Sequence, residues 1–409
     1  MTEWKEVRLD SLVNRKICYG IVQPGISPES GIPVIKVNNI VKGLRDVSEC
    51  DKTTEEINNK YKRTILKGGE LVISLVGTVG YVDIVPLSFA GANLVRATGM
   101  IDIEDELIKR WVLFYIRTKQ GQQYIEKNLN TTVQRALNIK DLCKMPIPIT
   151  QRCYMEKVVS ILSSLDDKIA VNKKICENLE AQAQALFKHW FVDFAPFKDG
   201  KFVESELGLI PEGWRVGTIG DYCKVKSGYA FKSSWWTDKG DKIIKIKNIS
   251  ENGSLDLTDC ACVSPENTFK AKNFKAIPGD LIIAMTGATI GKFNIIPRLD
   301  DNYYINQRVG KFFLGDNPLS KLPFIYCELK RDAIINQIIK SGQGSAQPNI
   351  SGSDIENVLI VYNEELINEF NIKCSPFFDA IIRNQQENHR LATLRDTLLP
   401  KLMSGEIKI

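Results

Sequence analysis

Apolar and polar positions alternate along this chain in two rhythms, and each rhythm is used twice. Short apolar, β-branched runs such as LVISLV (71–76), YVDIVP (81–86), LIIAMT (281–286) and KFNIIP (292–297) are bounded by Gly or Pro, as buried strands are. Turns carrying glycine and a charge, LKGGE and AIPGD, deliver the chain into two of them. The stretch GGELVISLVGTVG (68–80) is answered by PGDLIIAMTGATIG from Pro278, so that Gly69 and Gly279, Ile73 and Ile283, and Gly77 and Gly287 are each 210 residues apart. IKVNNI (35–40) answers IKIKNI (244–249), and TTVQRALNIKDL (131–142) answers GSAQPNISGSDI (344–355). Self-similarity over half the chain predicts a tandem repeat of two α+β units, each a curled, mainly-β sheet or partial barrel with helices. The helices in the units are expected at roughly 108–127 and 322–339.

After each unit the period changes from two to an alternation of three and four. Val158, Leu162, Leu165, Ile169, Asn172, Cys176, Leu179, Ala183, Leu186 and Trp190 form a heptad stripe. Shifted by 212 residues, its later members become Phe377, Ile381, Asn384, Asn388, Leu391, Arg395, Leu398 and Leu402. The long helix is therefore duplicated too, with polar Asn172 matching Asn384; a lone Asn on such a seam fixes register, or marks a solvated part of it. A helix over 155–191 spans about 55 Å. In the second copy Pro376 is expected in a first turn or a kink with Ser375 as cap, Phe370 and Cys374 in a separate short helix, and Pro400 at the end. The order that follows is a first unit at 1–150, a spacer helix at 151–195, a second unit at 196–360 and a second spacer helix at 361–409.

Composition adds bounds. The 409 residues exceed one compact core, and 44% apolar with 25% charged residues is ordinary for a globular protein. No apolar run reaches the ~20 residues of a membrane helix, and MTEWKEVRLD has no signal-like apolar stretch. Ten cysteines without Cys-x-x-Cys pairs read as thiols of a reducing cytoplasm. The net charge of +5 is concentrated in 1–150 and 200–360, which suits a polyanion partner and equally an ordinary solvated surface.

Catalytic signatures are missing. There is no Pro-Pro and no Phe-x-Gly-x-Gly, so neither loop of an amino-methyltransferase is present. GATIGK (287–292) is one residue short of a phosphate loop and reads as a strand turn. Glu328-Leu-Lys330 resembles the tail of a nuclease motif but reads as a solvated helix face. The two histidines, His189 and His389, both fall on the long helices, which excludes a histidine site within a unit.

With the repeat, the junction ALFKHWFVDFAPFKDGKFVESELGLIPEGW (185–214), SGQGSAQPNISGSDI and the terminal LRDTLLPKLMSGEIKI (394–409), the chain resembles the DNA specificity subunits of type I restriction–modification systems over essentially its whole length. The resemblance implies two target-recognition domains, each followed by a long helix, the two helices pairing as an antiparallel coiled coil with Leu162, Leu165, Ile169, Asn172, Leu179 and Leu186 facing Phe377, Ile381, Asn384, Leu391 and Leu398. It implies a cytoplasmic, non-catalytic subunit whose two domains each read half of a split, asymmetric site in double-stranded DNA. The helices would space the domains and dock two copies of a methylation subunit, with ATP-dependent restriction subunits as further partners. No cofactor is expected here; S-adenosylmethionine, ATP and magnesium belong to the partners.

Reading bases and phosphates calls for Arg, Lys, Asn, Gln and Thr near turns. In the first unit these are Lys36, Asn38, Asn39, Thr78, Arg96, Gln134 and Arg135. In the second they are Lys245, Lys247, Asn248, Thr286, Gln307, Arg308, Gln347 and Asn349. Asn39 and Asn248 occupy matched positions and serve equally as turn caps. Gln134 with Gln347, and Asn138 with Asn349, recur in both halves and so fit scaffold duty, whereas Arg135 against Pro348 and Asn38 against Lys247 differ and fit discrimination. Trp190, Phe191, Phe194 and Phe197 read either as a partner patch or as core, and Trp235-Trp236 stands out in a polar loop. Two rival readings are a self-contained modification or cleavage enzyme with duplicated DNA-binding domains, and a coiled-coil adaptor without a nucleic-acid role.

Overall fold

The computed structural model describes residues 4–130, 134–250, 255–342 and 349–409. Its compact units are Met1–Asp167 with Ala392–Ile409, and Lys168–Leu391. In the first, a four-stranded antiparallel sheet runs in the order Arg15–Tyr19, Thr98–Asp102, Leu71–Ser74, Val82–Ile84. Beside it lies a three-stranded sheet of Asp51–Thr53, Ile32–Ile35 and Asn93–Leu94, its last pair parallel. The second unit repeats this order with Lys224–Ser227, Val309–Phe313, Leu281–Ala284 and Phe293–Ile295. Its other sheet runs Trp236–Thr237, Ala261–Val263, Asp241–Ile244, Tyr303–Ile305, again ending in a parallel pair. The two quoted runs become the inner strands Leu71–Ser74 and Leu281–Ala284, buried at every position, which is why they are apolar throughout instead of alternating.

The charged turn residues ahead of these strands are caps. Glu70 accepts from the Lys67 backbone N–H and Asp280 from that of Ile277, both at 2.8 Å. Each buried carboxylate also holds a cation, Arg15 at 3.1 Å from Glu70 and Lys311 at 2.6 Å from Asp280. Burial pushes the Asp280 carboxyl up in spite of Lys311.

The in-unit helices differ from expectation in being broken. Glu106–Arg117 and Lys119–Lys127 are separated at Thr118, whose hydroxyl accepts from the Gly121 N–H and restarts the helix as an N-cap. Leu322–Leu329 and Asp332–Ser341 flank an equivalent break. Glu328 is fully buried and bound to Arg331 at 2.9 Å, so it does not lie on a solvated face; burial raises its carboxyl despite Arg331.

The first long helix spans Arg152–Phe187 and passes into a π turn at Lys188–Val192; the second spans Glu364–Met403 without interruption. The expected break at Pro376 is absent, and Pro400 also lies inside the helix. Proline removes one i→i−4 bond, whose acceptor is the Ile372 carbonyl; Ile372 and Pro376 share an exposed face where water can take its place. Ser375 does not cap a helix start; its hydroxyl donates back to the Asn371 carbonyl at 2.6 Å. Phe370 and Cys374 are fully buried on this same helix.

Within the first unit the helix pair is antiparallel: the Tyr154 hydroxyl donates to the Leu402 and Ile407 carbonyls, and Asp166 binds Arg395 at 2.6 Å. Within the second it is antiparallel as well. Cys176 Sγ lies 3.7 Å from the Ile381 carbonyl, and Asn172 Nδ2 donates to Glu387 at 2.7 Å. Asn172 is completely buried and its Oδ1 has no partner, so the seam asparagine meets a glutamate, not its repeat-mate Asn384, which is half-buried. Leu162, Ile169 and Ile381 are buried, while Leu165, Leu179, Leu186, Phe377, Leu391 and Leu398 are half-buried. Phe191 is buried among Phe187, Phe324, Phe370 and Trp214, with Phe194 and Phe197 against Trp214, so the aromatic cluster is core. Trp235 and Trp236 cover a small core of Phe231, Ile243, Val263, Ala271 and Tyr304.

Asn172→Leu is expected to hold or raise the midpoint of thermal unfolding, because it deletes a buried acceptor that has no donor. Glu387→Ala, which strands the amide entirely, is expected to cost roughly 1–3 kcal/mol. Thermal melts of the two variants check this; a larger loss for Asn172→Leu would contradict it.

Candidate nucleic-acid interface

Two glycines set up the same end of both units. A Cβ at Gly20 would stand 1.9 Å from the Leu94 carbonyl oxygen, and one at Gly228 2.3 Å from that of Ile305. Only glycine permits this approach, which lets the next residue bond across. Ile21 donates to Leu94 at 2.7 Å and accepts from Arg96 at 2.7 Å; Tyr229 donates to Ile305 at 2.8 Å and accepts from Gln307 at 3.0 Å. The loop carrying Arg96, or Gln307 and Arg308, is thereby pinned to a rigid frame.

Two further bonds recur. Leu75 donates to Ala97 and accepts from Leu137, both at 2.8 Å; Met285 donates to Arg308 at 3.1 Å and accepts from Ile350 at 2.9 Å. Gly77 and Gly287 then turn the chain in the left-handed region, at φ +77° and +75°. Lys36 joins the same end through Val95, which donates to the Ile35 carbonyl at 3.2 Å, and Lys245 through Asn306, which donates to Ile244 at 3.0 Å. In each unit three segments far apart in sequence thus meet: the exit from the inner strand, the loop after the parallel strand, and the returning segment at 134–137 or 349–350.

These bonds correct the pairing of positions. Arg96 corresponds to Gln307, Ala97 to Arg308, and Asn138 to Ser351, each of the last two preceding a short helix. Asn349 is not the counterpart of Asn138; it bridges Thr286 as Ala136 bridges Val76.

Of the expected readers, Asn38, Thr78, Arg96 and Gln134 are exposed in the first unit. Arg135 is exposed and ion-paired with Glu126, and Lys36 with Asp51. In the second unit Lys247, Gln307, Arg308 and Asn349 are exposed and Thr286 half-buried, with Lys247 2.7 Å from Asp259. Asn39 and Asn248 are the caps: each accepts a 2.8 Å bond from the backbone N–H of Lys36 or Lys245. Asn248 is removed from the reading set, being buried with its amide donating to Asp256 and Asp259 carbonyls at 2.9 and 3.3 Å. Lys245 is turned inward, its Nζ 3.4 Å from the Trp236 ring centroid, and burial, with Lys247 adding, lowers its pKa. Gln347 lies outside the described residues.

Two hollows flank this end of the second unit. One of about 320 Å³ is lined by Lys247, Ser250, Thr286, Thr289 and Arg308 among others. One of about 460 Å³ is lined by Ser227, Thr286, Gln307, Arg308, Asn349 and Ser351 among others. Thr286 and Arg308 form the ridge they share, and among the described residues no carboxylate lines either hollow. By contrast, a hollow of about 370 Å³ in the first unit, around Glu70, holds Asp102 and Glu104 beside Arg15, Lys67 and Lys109. A surface whose described lining carries donors and cations suits an anion and base edges. Ser227, Ser250, Thr289 and Ser351 were not singled out by sequence; the signals available were the Ser-Gly before the close approach and the Ser-x-x-Asp capping box at Ser351. Among the described residues no cluster of His, Cys, Asp and Glu is arranged to hold a metal, and no helix is long and apolar enough to cross a membrane.

Known proteins share this architecture. The chain is 28% identical over 381 residues to the MjaIX type I restriction enzyme specificity subunit of Methanocaldococcus jannaschii, covering 90% of this chain and 83% of that protein. It is 25% identical over 334 residues to the HindI specificity subunit of Haemophilus influenzae, covering 66% and 71%. In fold it is similar to the crystal structure of the type I restriction–modification S subunit from M. genitalium, with a TM-score of 0.54 at 17% identity over 98% of this chain and 96% of that one. The profile described as type I restriction modification DNA specificity domain matches residues 1–181 and 211–362, and with the duplicated frame this places the chain in the type I restriction–modification DNA specificity family.

Proposed function

We propose that the chain is the non-catalytic specificity subunit of a type I restriction–modification complex and that each unit reads one half of a bipartite, asymmetric site in double-stranded DNA. The observation that carries the reading is the duplicated end itself. The same backbone bonds hold the same three segments, yet the side chains they display differ: Arg96 in the first unit stands at the position of Gln307 in the second, and Ala97 at that of Arg308. A shared frame with unlike reading groups is what two different half-sites require. The hollows of the second unit, lined by no carboxylate among the described residues, support contact with a polyanion.

Methyl transfer and cleavage are assigned to partner subunits, two of them methylation subunits docked along the paired helices, with ATP-dependent restriction subunits as further partners. S-adenosylmethionine, ATP and magnesium would be bound by those partners. The helix pair is proposed to set the number of unread base pairs between the half-sites.

The test is an exchange. Residues 1–150 are replaced by the corresponding segment of a relative, the chain is expressed with its methylation subunit, and modified bases are mapped across the host genome. One half of the motif is expected to change and the other to stay. Altered bases in both halves would contradict independent reading.

A further inference from the structure

Most arginines of the described residues are ion-paired; Asp166, for example, binds both Arg117 at 3.1 Å and Arg395 at 2.6 Å. Arg63, Arg96 and Arg308 are exceptions, and of these Arg96 and Arg308 stand on the loops described above. Both are exposed, and neither guanidinium has a hydrogen-bond or ion-pair partner among the described residues. They sit on the same loop of the two units, one step out of register: Arg96 corresponds to Gln307, while Arg308 corresponds to Ala97. Each backbone is tied at the residue and at its neighbour: Arg96 N–H donates to Ile21 at 2.7 Å with Ala97 accepting from Leu75, and the Arg308 carbonyl accepts from Met285 at 3.1 Å with Gln307 donating to Tyr229. A pinned backbone with an unengaged planar fork is preorganised to bind something outside the chain. Arg308 stands on the ridge between two hollows lined by no carboxylate among the described residues, and none of these engages its five donors.

We propose that Arg96 and Arg308 are the principal base-reading groups of the two units, and that each binds the O6 and N7 acceptors of a guanine in its half-site. The proposal rests on the functional reading above and adds the group and the base. Guanine is the base whose major-groove edge offers two acceptors at the spacing of an arginine fork. A phosphate contact would position the protein without selecting sequence, a duty open to Lys247, which lines the same hollow as Arg308 and is ion-paired with Asp259. Because the two arginines occupy successive positions of the loop, they address bases at different depths in the two half-sites. This gives one scaffold two non-identical readings.

The experiment uses the full chain co-expressed with its methylation subunit in a host lacking other DNA methylation, with modified sites mapped by sequencing. The wild-type motif is expected to hold a required G·C pair in each half. Arg308→Ala is expected to lower discrimination at one G·C pair of one half by about 10- to 100-fold, and Arg96→Ala to do the same in the other half. Arg308→Lys keeps the charge without the fork and is expected to relax the same position while preserving more of the affinity. On wild-type complex, 7-deazaguanine at that position, which removes N7 and leaves base pairing intact, is expected to weaken binding. Arg308→Ala is expected to be indifferent to it. A motif unchanged in both variants overturns the proposal. So does a uniform loss of methylation in variants that melt and co-purify as wild type does, since that marks a phosphate contact. If the wild-type complex methylates without any motif, the functional reading fails first, and that outcome is distinct from failure at either arginine.

Discussion

The apolar stripes of the two long helices have to be buried, and each globular unit is completed by taking in the ends of both. The core of the first unit takes in Val158 and Leu162 from the start of one helix and Leu399, Leu402 and Met403 from the end of the other. The core of the second takes in Ala183 and Phe187 from the end of the first helix and Phe370, Cys374, Phe378 and Ile381 from the start of the second. Each buried side chain of this kind contributes roughly 1.5–3 kcal/mol. Removing either helix from a unit would therefore expose a core and not merely a linker. The unit boundaries, after Asp167 and before Ala392, fall inside the helices for this reason.

On this foundation the two halves keep one frame and vary its rim. Inner strands buried at every position, carboxylate caps at Glu70 and Asp280, and close approaches at Gly20 and Gly228 recur together. Even the partner cations differ in origin: Arg15 reaches Glu70 from an edge strand, whereas Lys311 reaches Asp280 from the adjacent strand. Constraint is concentrated in backbone bonds, which many side chains satisfy, so the exposed loop residues are free to diverge.

The repeat, the strand runs, the heptad stripes and the absence of catalytic motifs were legible in the sequence because each rests on periodicity or spacing. The breaks in the in-unit helices were not, because Thr118 acts through a capping bond that composition does not announce. Pro376 misled in the opposite direction: burial of Phe370, Cys374 and Phe378 outweighs one lost backbone bond whose acceptor belongs to an exposed residue, Ile372. At the site, fifteen polar residues near turns were drawn from sequence. The structure assigns Asn39 and Asn248 to capping and Lys245 to an indole face, since whether an amide or ammonium is already satisfied depends on neighbours distant in the chain. The equivalence of Ala97 with Arg308 was hidden by small insertions and emerged only from matched backbone bonds.

On the proposed function, one duplicated chain spaces two readers with its own helices. Insertion of one heptad after Asp167, with a second after Leu391, keeps both stripes in phase and lengthens the pair by about 10 Å. At ~3.4 Å per base pair this corresponds to at most about three base pairs, less if the rod runs oblique to the duplex. Three base pairs also turn the duplex by about 100°, so reduced affinity accompanies the change. Methylation mapping with the lengthened variant and its methylation subunit is expected to return the same two half-sites separated by a longer gap. An active variant that returns the original gap would contradict the account.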